Sequence, residues 1–121
     1  MTFAGFVPDD ELRDMLHRCS CAVIPSLYEP FGMVALEALA AGAPVVASTA
    51  GGLGEVLSNT SAAALYDPGD VDGLTDALRR VLTEPVTSAS LRAAAPTLLA
   101  RYTWDAIAAQ TIPVYEAAVL P

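Results

Sequence analysis

The stretch Pro25-Ser-Leu-Tyr-Glu-Pro-Phe-Gly-Met-Val-Ala-Leu-Glu-Ala-Leu-Ala-Ala-Gly42 carries two glutamates, Glu29 and Glu37, eight positions apart. Glu37 is the only charged residue between Phe31 and Ser48 and interrupts an apolar run. An unpaired buried carboxylate is costly, so it is expected to be paired, hydrogen-bonded or turned toward a polar ligand. The apolar run Cys21–Pro25 suits a buried parallel strand. A helix is expected from about Gly32 to Ala41, stopped by Gly42 in the C′ position. Strand, Gly/Pro loop and helix in that order set backbone N–H groups where an anion can dock.

The same alternation continues on both sides. Upstream, Thr2–Val7 reads as a short strand ended by Pro8, and Asp9, Asp10 and Glu11 open a helix at its positive end. Downstream, Pro44–Ser48 reads as a strand, Thr49–Leu57 as a turn opening a short helix, and Ala62–Tyr66 as a weaker strand closed by Asp67-Pro-Gly69. Val71, Leu74, Leu78, Val81 and Leu82 give a helical period over residues 70–84. A further helix is expected from Leu91 to Arg101, broken or kinked at Pro96. The last begins with Thr103 as N-cap, anchored by Trp104 and Ile107, and ends or bends at Pro113. Alternating strands and helices predict an α/β fold with a mainly parallel sheet. No internal repeat, linker or domain boundary interrupts residues 1–121.

Composition narrows the partners. Hydrophobic residues make up 54% of the 121, above the usual range of about 45–50%, which implies an extensive core. A net charge of −8 argues against nucleic acid or an anionic membrane. All six basic residues are arginines, so no mechanism can draw an ammonium side chain from this sequence. Gly42 and Pro44 break the longest uncharged runs, which are too short to cross a bilayer. No leader is read at the N-terminus, and a cytoplasmic location is expected. Cys19 and Cys21 are separated by one residue, which suits reduced structural thiols better than a disulfide. No cluster of metal ligands stands out.

Three features carry chemistry. The loop Tyr28–Met33 leaves the carboxyl end of a strand, where open α/β sheets bind ligands. Gly32 there permits close backbone approach, and the N–H groups of Met33 and Val34 fall in the first helical turn. The alternative is an ordinary turn with Glu29 in solvent. Glu37, one turn into the helix, can accept two hydrogen bonds from a vicinal diol such as a ribose. The alternative, which its apolar surroundings disfavour, is that it is paired with an arginine or reaches solvent beside the helix. Gly51-Gly-Leu-Gly54 lacks the spacing of a dinucleotide fingerprint, so no NAD site is read. Glu55 reads as a helix-dipole residue, and His17, with no triad around it, as surface structure.

With these residues in view, the sequence resembles the C-terminal, donor-binding domain of retaining GT-B glycosyltransferases. The group is the one that includes glycogen synthases, sucrose synthases and bacterial mannosyltransferases. Residues 25–42 are similar to its E-x7-E signature. Phe3–Leu12, Pro44–Val56 and Tyr102–Asp105 look like its flanking blocks. The resemblance implies a truncated Rossmann-like domain, a nucleotide-sugar substrate, and hexosyl transfer with retention of configuration and without a metal or other cofactor. It implies that Glu29 is the catalytic-site residue that binds hexose hydroxyls. Phe31, Gly32, Met33 and Val34 would face the sugar and diphosphate, Glu37 the ribose, and Val7 and Pro8 the base.

One departure qualifies the match. The family's donor domain normally opens with two further strand–helix units, which carry an Arg and a Lys that neutralise the diphosphate; the match here starts after them. The acceptor domain is absent as well. Residues 1–121 therefore read as a partial donor domain, inactive alone. In a sheet of order 3-2-1-4-5-6, strands 1 and 2 would lie between Thr2–Val7 and Cys21–Pro25. Those two strands are expected either to pair directly or to be bridged by another chain, a second copy or a complementing one. A non-catalytic nucleotide-sugar-binding or assembly module is the main alternative, and a GT-B epimerase remnant fits the signature less well.

Overall fold

A computed structural model describes residues 1–119. The elements follow in the order α1 (Asp9–Arg18), β1 (Ala22–Ile24), α2 (Met33–Ala40), β2 (Val45–Ser48), α3 (Gly51–Leu57), β3 (Ala63–Tyr66), α4 (Val71–Thr83), α5 (Pro85–Leu99) and α6 (Trp104–Val119). A 3-10 turn over Ala100–Tyr102 joins α5 to α6. The strands form a parallel sheet of order β1-β2-β3, with Ile24 opposite Ala47 and Ser48 opposite Tyr66. This is the α/β, mainly parallel architecture that the alternation of elements implies.

The central strand explains the layering. All four residues of β2 are buried, and the period of two sends them to opposite faces. Val45 and Ala47 join Leu36, Leu39, Leu53, Leu57 and Leu98 in one core. Val46 joins Tyr66, Ala77, Val81 and Leu91 in the other. Helices α2 and α3 therefore cover one face and α4 the other, while α5 contributes to both. Ser48, fully buried, donates its Oγ–H to the carbonyl of Ser26 at 2.6 Å. That bond satisfies the hydroxyl and ties the end of β2 to the loop after β1.

Helix α2 corrects the reading of Glu37 as a carboxylate held in an apolar interior. Ala35, Leu36, Ala38 and Leu39 are buried, and at 100° per residue they share one face. Glu37 falls opposite them and is exposed. The helix stops where expected, with Gly42 at φ +82°.

Two further expectations fail and a third is met in part. Thr2–Val7 forms no strand: the segment is irregular, and Phe3 and Phe6 are 90% and 92% exposed. An isolated extended segment has no partner for its backbone groups. None lies beside it among the described residues, because β1 pairs only with β2. Direct pairing of Thr2–Val7 with the strand at residues 21–25 is thereby overturned. Next, α5 starts at Pro85 rather than Leu91 and runs through Pro96, while α6 runs through Pro113. Pro85 at the first position suits a helix start. Finally, Trp104 and Ile107 do not anchor α6: Trp104 is 90% exposed, Ile107 38%, and no described residue of α6 is buried. Thr103 does cap the helix, its Oγ1 accepting from the Ala106 amide at 3.2 Å.

Both cysteines are free. Burial, and then the neighbouring Cys19, pushes the Cys21 thiol up. No helix of the described residues is long and apolar enough to cross a membrane, and they hold no group of three or more potential metal ligands.

Candidate functional site

The loop of residues 26–32 follows β1, and α2 begins at its end. Gly32 takes φ +100° as the N-cap, a left-handed conformation that side chains disfavour. It is also packed tightly, since a Cβ there would stand 2.6 Å from Leu53 Cδ1. The glycines of α3 finish the support. The Gly52 amide donates to the Glu29 carbonyl at 2.9 Å. A Cβ on Gly51 would come within 2.7 Å of that same carbonyl oxygen, and one on Gly52 would overlap the Pro30 carbonyl. The Gly-rich turn thus serves backbone contact: it lets the start of α3 press on the main chain of Glu29–Phe31.

Glu29 is half-buried, and its carboxylate turns back on its own loop. Oε1 accepts from the Gly32 amide at 3.1 Å and from the Phe31 amide at 3.4 Å. Two of the expected anion-facing amides are thus engaged by an internal carboxylate. The N–H groups of Met33 and Val34 have no partner among the described residues, and both side chains are exposed. Phe31 packs edge-to-face on Tyr102, with ring centroids 5.8 Å apart. The Tyr102–Asp105 block therefore reaches this loop through the 3-10 turn rather than through Trp104.

Glu37 faces a different space. It lines a cleft between α1 and α2, enclosing about 330 Å³, together with Asp9, Leu12, Arg13, Leu16 and Ala40. His17 fixes the far end of this cleft: Nδ1, as an N–H, donates to the Ala41 carbonyl at 3.1 Å. Val7, half-buried, and Pro8, exposed, run directly into Asp9 at its α1 side. The sequence thus singled out Glu37 on the α2 wall and Val7 and Pro8 ahead of α1, marked Asp9 only as a helix-opening residue and gave Arg13 no role. Their signal was there: residues 9, 13 and 16 follow the helical spacing of i, i+4 and i+7. Glu29 and Glu37 accordingly flank the start of α2, one folded onto the loop amides and one a turn further along.

The comparisons with known proteins bear on this arrangement. The family model of glycosyl transferases group 1 matches residues 1–97. A glycogen synthase of Mycobacterium tuberculosis is 46% identical over 117 residues, 96% of this chain and 28% of that protein. An MMP alpha-(1->4)-mannosyltransferase of Mycolicibacterium hassiacum is 43% identical over 116 residues, covering 92% of this chain and 28% of its own length. Among solved structures, the sucrose-phosphate synthase from Thermosynechococcus elongatus, a GT-B glycosyltransferase, superposes with a TM-score of 0.82. It is 35% identical and covers 97% of this chain and 30% of its own. The chain thus spans under a third of the length of each of these three relatives. With the E-x7-E signature, the parallel sheet and this superposition in agreement, the chain belongs to the glycosyl transferases group 1 family.

Proposed function

We propose that this chain forms the donor side of a retaining glycosyltransferase, which moves a hexosyl group from a nucleotide sugar to an acceptor held elsewhere. The observation that carries the proposal is the start of α2. There a half-buried carboxylate, two engaged amides and two free amides converge, with a second carboxylate one turn beyond. In this reading Glu37 accepts hydrogen bonds from the ribose hydroxyls. The Met33 and Val34 amides meet the diphosphate, joined by those of Phe31 and Gly32 when Glu29 turns to the hexose hydroxyls. Main-chain dipoles aimed at a leaving diphosphate stabilise the charge that develops there. The proposal needs no metal in this set of residues.

The amides supply only part of the positive potential. No lysine exists in the chain, and β1 has no neighbour on its outer side among the described residues. Both observations favour completion by further polypeptide, whether of the same chain, a second copy or a complementing chain. A module that binds nucleotide sugar and completes a partner is accordingly the second reading. In either case the isolated chain is expected to bind a donor without transferring its sugar; transfer or donor hydrolysis by the chain alone would refute this.

Calorimetry with UDP-, GDP- and ADP-sugars tests the site. Glu37→Ala is expected to weaken every nucleoside diphosphate by about tenfold or more, the worth of a hydrogen bond to a charged group. Glu29→Ala is expected to weaken the nucleotide sugar by a similar factor and to spare inorganic diphosphate. Unchanged affinities in both variants would refute the assignments.

A further inference from the structure

We infer that Tyr102 is a positioning residue for the donor site: through the Phe31 ring it fixes the direction of the Phe31 and Gly32 amides. The inference rests on the donor reading proposed above and adds to that site a residue from the turn between α5 and α6. Support of the loop comes from two sides. On one, α3 presses on main chain, with the Gly52 amide bonded to the Glu29 carbonyl at 2.9 Å and Leu53 set against Gly32. On the other, the contact is between side chains: the Phe31 and Tyr102 ring centroids stand 5.8 Å apart, with the planes at 80°, edge to face. Aromatic quadrupoles favour that arrangement.

The backbone explains why the ring matters. The Phe31 N–H belongs to the planar peptide unit before the Phe31 Cα, and the Gly32 N–H to the unit after it. The φ and ψ of Phe31 therefore decide whether the two amides point the same way. They do: both donate to Glu29 Oε1, at 3.4 and 3.1 Å. Gly32, with no side chain, adds no torsional restraint of its own. A ring held in place fixes the Cα–Cβ bond of Phe31 and so restrains both torsions.

Tyr102 is suited to hold it. It is half-buried and packs on the core that contains Leu98, itself 2% exposed, whereas Phe31 is 42% exposed. The fixed ring thus steadies the free one. Amides preset toward one oxygen favour an anion there without reorganisation once Glu29 turns away. With the Tyr102 ring removed, Phe31 samples more of its φ/ψ range and the pair diverges. Glu37 stands on α2 itself, a turn beyond the loop, so its ribose contact does not depend on Tyr102.

Calorimetry and NMR on the full chain test this, with UDP-glucose, GDP-mannose, ADP-glucose and inorganic diphosphate as probes. Tyr102→Leu is expected to weaken the tightest nucleotide sugar and inorganic diphosphate by about fivefold, the worth of an aromatic pair. Tyr102→Phe keeps the ring and should keep wild-type affinity. Phe31→Leu should cost the same factor, and adding Tyr102→Leu to it should cost nothing more. The Glu37→Ala loss should persist in full beside Tyr102→Leu. The three-bond amide–Hα coupling at position 31, which reports φ, should move toward a motional average in Tyr102→Leu and stay unchanged in Tyr102→Phe. A purely structural tyrosine would lower the melting temperature and leave affinity and coupling as in the wild type; that result, or additive losses in the double variant, overturns the inference. Should Tyr102→Leu not fold, Phe31→Leu on the exposed partner decides, and unchanged diphosphate affinity there overturns it equally. If no probe binds the wild type, the donor reading falls, and the coupling alone decides for or against Tyr102.

Discussion

Gly52 shows how little freedom the site loop has. Its amide is bound to the Glu29 carbonyl, and a Cβ would overlap the Pro30 carbonyl. The obstacle is main chain, which cannot swing aside as a flexible side chain can. Gly52→Ala should therefore cost about 2–3 kcal/mol of stability, within the range for overpacking a tight interior, measured as a lower denaturant midpoint at unchanged slope. An equally stable variant would show that the loop yields. The two glutamates were visible in the sequence, but their surroundings were only half legible. An apolar run in one dimension suggested that Glu37 is enclosed. The helix turns it away from Leu36 and Leu39, and its neighbours come from α1, a contact that spacing within α2 cannot report. Glu29 was legible as a loop carboxylate; that it folds back on the Phe31 and Gly32 amides is set by the course of the loop, which residue types alone do not report.

At the scale of elements, the strands at Ala22–Ile24, Val45–Ser48 and Ala63–Tyr66 were legible because buried parallel strands are short apolar runs between glycines and prolines. Thr2–Val7 has the same local pattern and stays irregular, since a strand is a pairing and its pattern says nothing of whether a partner exists. Pro96 misled in the opposite direction. Proline costs about 3 kcal/mol more than alanine in a helix interior, yet α5 continues through it because Leu91, Ala95 and Leu98 bury one face in both cores. Pro96 itself is exposed, so Pro96→Ala opens no cavity. It should stabilise the chain by about 2 kcal/mol, the helical gain less the greater entropy of the unfolded alanine chain. A lower melting temperature would mean that the proline fits α5 without strain.

Over the whole molecule, the described residues gather their apolar groups unevenly. The two cores hold β2 from both sides, while α6 buries none of its described residues and Trp104 stands 90% exposed. Trp104 is the only tryptophan, so it reports on α6 directly. The chain alone should emit at the red-shifted wavelength of a hydrated indole and be fully accessible to acrylamide. A complementing chain that covers α6 should shift the emission to the blue and slow quenching. A blue-shifted, protected indole in the dilute chain would show that α6 folds back or self-associates.

The pinned loop bears finally on motion. With residues 29–32 held by α3, by Leu53 and by Tyr102, no hinged lid of backbone is available at the start of α2. Side chains such as Glu29 and Arg13 can re-orient in nanoseconds or less. In the donor reading proposed above, any slower closure, on the microsecond-to-millisecond scale of domain movement, would carry sheet, loop and helices together as one rigid body.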